Sequence, residues 1–173
     1  MADVKLLVPF ILRWEGGFVN DPNDLGGATN RGVTFATYEK YCQKKALPQP
    51  SLTDLKQLTQ EKWFEIMKSM YWDRWRGDEI KNQPVANILV DWVWTSGVYG
   101  IRIPQKILGV TADGIVGSRT ITALNTYYSA AELFGRFKQA RLDYIDAICE
   151  KRPENTKFLK GWKNRINALI FSS

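Results

Sequence analysis

The sequence predicts an all-α fold, and three observations predict it. Apolar residues recur at helical spacing through most of the chain, no alternating strand pattern of any length appears, and the breaks fall at Gly, Pro and capping residues. With 173 residues, 45% of them apolar, the chain can bury a sizeable core as one domain or as one domain with a small appended lobe. No tandem repeat or low-complexity linker divides it.

The elements follow in order. Val4, Leu7, Val8, Ile11 and Trp14 share one helical face after Asp3, a capping residue, and the run stops at Gly16-Gly17, so the first helix ends at or beside Glu15. Residues 18–32, FVNDPNDLGGATNRG, are dense in Gly, Asn, Asp and Pro and read as a long irregular loop with room for a small β hairpin. Helical spacing resumes from Thr34 to about Lys45, and again from Thr59 through Trp63, Phe64, Met67 and Met70 to the aromatic knot YWDRW, with Pro48 and Pro50 marking the connection. Pro84 suits the first turn of a helix that is apolar nearly all round and that Gly97 ends, the expected central helix. Two short helices flank a turn at Asp113-Gly114. Ser129 and Glu132 form a capping-box pair for a long helix to about Glu150, and Pro153 separates it from a last helix near residues 155–171.

The composition excludes more than it selects. The chain has no histidine, which rules out Ser-His-Asp triads, Cys-His pairs and the imidazole-ligated zinc of amidases and metallopeptidases. Catalysis must rest on carboxylates, Tyr, Lys, Ser or Thr, and no metal or organic cofactor is implied. A net charge of +6 suits an anionic partner, but Lys and Arg are scattered rather than striped, so no nucleic-acid partner is expected. No run reaches the eighteen or so apolar residues of a membrane span, so stable membrane insertion is not expected either. Cys42 and Cys149 form no metal-type pair and are expected to be buried free thiols.

Glu15 stands where a helix runs into a glycine-rich loop, a place from which a side chain can face a cleft. Its neighbours Trp14 and Phe18 and the carbonyl end of the helix all disfavour a carboxylate, the condition that a proton donor needs. On the loop, Asp21 and Asp24 are candidate second carboxylates, and the Thr29 hydroxyl can position a water. The bland alternative is an exposed helix-terminal charge at Glu15, with Asn20, Asp21 and Asp24 as ordinary turn formers, and spacing alone does not remove it. The tryptophans Trp63, Trp72, Trp75, Trp92 and Trp94 fall at helical spacing or helix ends and read as core; Tyr99, after the Ser96-Gly97 stop, is the expected exposed sugar platform. Asp91, inside the most apolar helix, is expected to be buried and hydrogen-bonded, with Arg31 or Arg74 as partner.

The run WEGGFVNDPNDLGGATNRGVTFATY, residues 14–38, resembles the signature of glycoside hydrolase family 108, with its E-G-G-aromatic-V-N-D-P start and G-G-x-T-N-x-G-I/V-T continuation. That resemblance implies a lysozyme-like helical fold, N-acetylmuramidase activity and Glu15 as the catalytic acid. The same stretch is similar to the Glu, Asp, Thr triad of phage-type lysozymes: eight residues separate Glu15 from Asp24, as in that pattern, and Thr29 arrives one residue early. Residues 108–124, LGVTADGIVGSRTITAL, and 158–166, FLKGWKNRI, resemble a predicted peptidoglycan-binding module, which implies wall contacts near Asp113.

The combined expectation is a catalytic region over residues 1–97 and a helical peptidoglycan-binding region over 98–173, acting as a monomer on bacterial peptidoglycan. The first helix, the loop after it and the central helix are expected to wall a groove for several sugars. Glu15 protonates the leaving oxygen, Asp24, Thr29 and Asp21 handle the water, and Asn20, Asn30, Tyr99 and Asp113 contact substrate. Inversion is favoured, with carboxyls about 6.5–9.5 Å apart; retention needs Asp21 or Asp24 within about 5.5 Å. A bacterial or prophage origin is implied, and since the first residues lack a basic leader and a small-residue cleavage site, action at the wall is expected after release or by another export route. The rival from another class is a non-catalytic peptidoglycan-binding or secretion-accessory protein, against which an intact Glu15 argues.

Overall fold

The computed structural model describes residues 1–22 and 26–172. It is all-helical apart from one two-stranded ladder, and it divides into two compact units, residues 4–74 and residues 1–3 with 75 onward. Among the described residues no helix is long and apolar enough to cross a membrane.

In the first unit, α1 (Val4–Trp14) buries Val4, Leu7 and Ile11, the 3–4 spacing of one helical face, and ends one residue before Glu15. The expected hairpin is present. Strands β1 (Thr29–Asn30) and β2 (Val33–Thr34) pair antiparallel around Arg31 and Gly32, whose φ values of 47° and 81° are those of a type I′ turn, the form that matches strand twist. Three contacts fix this hairpin to the helices beside it. The Trp63 indole donates to the Arg31 carbonyl at 2.9 Å, the Arg31 guanidinium donates to the Leu58 carbonyl, and the Asn30 amide donates to the carbonyls of Leu55 and Lys56.

Thr34 then caps α2 (Phe35–Lys44), its hydroxyl accepting from the Thr37 N–H at 3.1 Å. A short helix, α3 (Leu52–Lys56), lies where only a proline-marked connection was expected. Ser51 and Asp54 form a reciprocal capping box that starts it, a signal present in SLTDLK but attached to too few residues to show a period. Helix α4 (Gln60–Met67), capped by Thr59, continues into a π turn over Lys68–Trp72 and a 3-10 turn over Asp73–Trp75.

In the second unit, α5 (Gln83–Ser96) starts with Pro84 in its first turn, is buried nearly all round, and ends at Gly97 with φ 59°. It packs on α6 (Tyr99–Ile107) and on α8 (Ala130–Lys151), which packs in turn on α9 (Thr156–Ala168). Helix α7 (Ser118–Asn125) follows the Asp113-Gly114 turn. The Ser129 hydroxyl caps α8 through the Glu132 N–H, as the sequence indicated, whereas α9 ends three residues before the expected stop.

Asp91 requires a correction. It is fully buried as expected, but its partners are Arg141 and Arg165, not Arg31 or Arg74. Each guanidinium reaches one carboxylate oxygen at 2.7 Å. Burial alone would push the Asp91 carboxyl up; the charges of Arg141 and Arg165 overcome it and hold the group below its ordinary value. Trp63, Trp72, Trp75 and Trp92 are core residues with no exposure, Trp94 is half-buried, and Cys42 and Cys149 are buried free thiols.

Candidate active site

Glu15 is the first residue past α1, half-buried, and opens the Gly16-Gly17 loop. Its backbone N–H still bonds the Leu12 carbonyl at 3.3 Å, so the last helical turn fixes the Cα from which the side chain departs. Trp14 and Phe18, both half-buried, flank it, and the Trp14 ring meets Phe10 at 6.3 Å. The loop then returns to the hairpin, where Val19 and Thr29 exchange both backbone hydrogen bonds at 2.8 Å. Thr29, half-buried, is thereby held in a β bridge only four residues from the Glu15 end of the loop as counted at Val19.

The residues brought electrostatically to Glu15 come from elsewhere. Burial pushes the Tyr71 phenol up; the Thr37 hydroxyl and the Arg74 guanidinium oppose that shift, and the Glu15 carboxylate adds to it. Tyr71 is therefore a neutral phenol at physiological pH, within the field of Glu15 and Arg74. Its oxygen lies 3.4 Å from the Thr37 hydroxyl, which accepts from the Thr34 hydroxyl at 3.0 Å. Three hydroxyls thus run from the cap of α2 to the phenol of Tyr71.

The π turn explains how Tyr71 is freed from the core. Along α4 the buried positions are Trp63, Ile66 and Met67, so α-helical spacing would bury residues 70 and 71 next. Instead the next large buried ring is Trp72, five residues after Met67, while Met70 and Tyr71 are half-buried. One wider turn delays the apolar face by a residue and turns Tyr71 away from it, in keeping with the occurrence of π turns at functional sites. Sequence reasoning placed Tyr71 in an aromatic knot and missed its place in the field of Glu15, and it weighed Arg74 only as a partner for Asp91.

The remaining sequence-derived residues divide. Asn20 and Asp21 are exposed on the loop, and Asp24 lies outside the described residues. Asn30 is buried, and its amide hydrogens are taken by the Leu55 and Lys56 carbonyls at 2.8 and 3.2 Å. Tyr99, in the other unit, is 51% exposed with its ring 5.6 Å from that of Tyr144. Asp113 organises its own turn: hydrogen bonds from the Ile115 N–H at 2.9 Å and the Gln105 amide at 3.1 Å hold its carboxyl below its ordinary value. Beside it an open depression is lined by Gly109, Thr111, Gly117, Arg119 and Thr120. Among the described residues no three Cys, Asp or Glu side chains converge as a metal cage.

Comparison with known proteins identifies families for both parts of the chain. Residues 8–97 match the family model described as Glycosyl hydrolase 108, and residues 99–167 match that described as Predicted Peptidoglycan domain. A solved structure titled Structure of Brucella abortus SagA is similar with a TM-score of 0.79 and 29% identity, over 95% of this chain and 90% of that one. The comparison with curated proteins found no match. The first family model spans more than half of the chain and includes Glu15, Thr37, Tyr71 and Arg74. The chain belongs to the glycosyl hydrolase 108 family: it is a peptidoglycan-directed glycoside hydrolase carrying a predicted peptidoglycan domain in its C-terminal part.

Proposed function

We propose that the protein hydrolyses the β-1,4 bond between N-acetylmuramic acid and N-acetylglucosamine, with Glu15 as the general acid. One observation carries this reading: within the family-matched segment, Glu15 sits half-buried at the mouth of a glycine-rich loop, and its charge acts on the neutral phenol of Tyr71. A carboxyl so placed can be approached by substrate from the loop side. Glu15 donates its proton to the bridging oxygen as the C1–O bond breaks, and water adds to C1 as positive charge develops there. The loop carboxylates Asp21 and Asp24 and the Thr29 hydroxyl are the groups proposed to take the water's proton and hold it. Asn20 is the loop amide proposed to contact a sugar, and Tyr99 and Asp113 are proposed wall contacts of the C-terminal part.

Turbidity loss of a purified wall suspension, wild type against Glu15→Gln, tests the acid. The isosteric amide keeps size and hydrogen bonding but has no proton to give, so clearing is expected to fall by about 100-fold or more. Equal clearing by both proteins refutes it. Borohydride reduction of the products identifies the bond: muramitol ends are expected, whereas glucosaminitol or 1,6-anhydromuramic ends would overturn the muramidase reading.

A further inference from the structure

We infer that the depression beside the Asp113-Gly114 turn binds the stem peptide of peptidoglycan rather than its sugars. The inference rests on the reading of the C-terminal part as wall-directed and names the component of the wall that it holds. The depression has a volume of about 470 Å³, within the range of small-ligand sites, and its rim is organised by one buried side chain. Gln105, on α6 and 1% exposed, accepts from the Gly114 N–H at 2.9 Å. Its amide hydrogens are shared among Asp113 Oδ1 at 3.1 Å, the Ile115 carbonyl at 3.0 Å and the Thr120 hydroxyl at 3.3 Å. One side chain thus ties the turn to α7. Gly114, at φ 80°, leaves no room for a side chain against Val98 and Arg102, so the turn is also pressed on α6.

This rigid frame presents a mixed set of groups. The Ile115 backbone is fixed at both ends, its N–H donating to Asp113 Oδ1 at 2.9 Å and its carbonyl accepting from Gln105, while its side chain is 71% exposed. Arg119 is exposed and makes no hydrogen bond or ion pair among the described residues. Both hydrogen bonds to Asp113 fall on Oδ1; they keep the carboxyl ionised and leave Oδ2 open. The hydroxyls of Thr111 and Ser118 complete the lining. A cation, an anion and an outward apolar side chain in one preorganised depression fit a ligand that carries charges of both signs and methyl groups. The N-acetylated sugars of a peptide-bearing strand are uncharged, whereas the stem peptide carries free carboxylates, alanine methyls and the amine of its diamino acid. A guanidinium holds a carboxylate through two parallel N–H bonds, which gives Arg119 the acidic end of the stem.

Binding is measured without turnover, on the full chain. Titration with the tripeptide L-alanyl-γ-D-glutamyl-diaminopimelate, followed by NMR, is expected to saturate. Affinity is expected to fall about tenfold in Arg119→Ala, the loss of one charged hydrogen-bond donor, and about threefold in Ile115→Ser. Lys160→Ala, which removes an exposed cation elsewhere, is expected to leave it unchanged, and chitotetraose is expected not to displace the peptide. The second arm is sedimentation with purified wall, intact or stripped of its stems by an amidase, in a Glu15→Gln background. There Arg119→Ala is expected to lower retention about tenfold on intact wall and not at all on stripped glycan. If the tripeptide does not bind, if chitotetraose displaces it, or if Arg119→Ala lowers retention equally on both walls or on neither, the stem assignment is wrong and the wall-directed reading stands. If the chain is retained on neither wall, that reading fails and this inference falls with it.

Discussion

Replacing Asp91 by Asn puts the heaviest single load on the second unit. Its carboxylate is fully buried, and the Arg141 and Arg165 side chains that it neutralises are 3% and 11% exposed. Arg141 also donates to the Thr95 hydroxyl at 3.0 Å, but its Nη1 has no partner among the described residues, so the cluster has no spare acceptor. Removing the negative charge leaves two guanidinium groups in an apolar interior, which costs about 3–5 kcal/mol when one partner of a buried pair is deleted. For a chain of this length about 2–4 °C of melting temperature is lost per kcal/mol, which gives a fall of about 6–20 °C by calorimetry or circular dichroism. The pH dependence follows from the depressed carboxyl. Asp91 binds its proton more weakly when folded than when unfolded, so its contribution is fully present above the unfolded value, near pH 3.9, and is lost as pH falls through the folded value. Wild type should therefore lose stability on the acid side of about pH 4 more steeply than Asp91→Asn. Replacing all three by Leu, Met and Met should recover much of the loss, since an apolar cluster of similar volume avoids the desolvation. A fall of less than about 2 °C in the single variant, or acid limbs of equal slope, would refute this account.

Two further substitutions probe positions that hold elements together. At Gly100, an added Cβ would lie 2.6 Å from the Trp92 carbonyl carbon and from the Val93 nitrogen, both backbone atoms that cannot rotate aside. Gly100→Ala should cost about 1–3 kcal/mol or more, read as a lowered urea midpoint, and an unchanged midpoint would mean that α5 and α6 separate at little cost. Asn30→Leu removes both hydrogen bonds to the carbonyls closing α3 and should destabilise by about 1–3 kcal/mol. Because those bonds also hold the hairpin that leads to Thr34, its clearing activity should fall along with its stability; full activity in a destabilised protein would detach the hairpin from the site.

The helices whose apolar faces repeat on one pitch were legible from the residues alone, and so were the stops at Gly16-Gly17 and Gly97 and the starts at Pro84 and Ser129. Local chemistry sets each of these, and the sequence displays it. What was not legible is non-local. Asp91 meets partners 50 and 74 residues away, and a guanidinium in one helix looks like any other until helix packing selects it. Of the two arginines considered, Arg31 pins the hairpin to Leu58 and Arg74 acts electrostatically on Tyr71. Helix α3 was missed for the opposite reason: its capping box is local and visible, but five residues carry no period.

The candidate site combines both cases, and the division has a physical cause. Residues 14–38 supply Glu15, the bridge at Thr29, the turn at Arg31-Gly32, the cap at Thr34 and the hydroxyl of Thr37, all in one continuous stretch. A motif confined to that stretch is therefore readable, because its members are joined by turns whose residue requirements are strict. Tyr71 enters through a change of helical pitch 56 positions beyond Glu15. Extrapolating α4 on 3.6 residues per turn assigns it to the buried face, and only the five-residue step from Met67 to Trp72 contradicts that assignment. An apolar pattern records which residues are buried on average, but it does not record where the pitch changes, so a side chain redirected by a π turn is hidden from it. Restoring regular α pitch between Met67 and Trp72 by deleting one residue should swing residue 71 back toward the core and, since Tyr71 lies in the field of Glu15, impair clearing activity even with every side chain of the 14–38 motif intact; full activity would show that the wider turn has no bearing on the site.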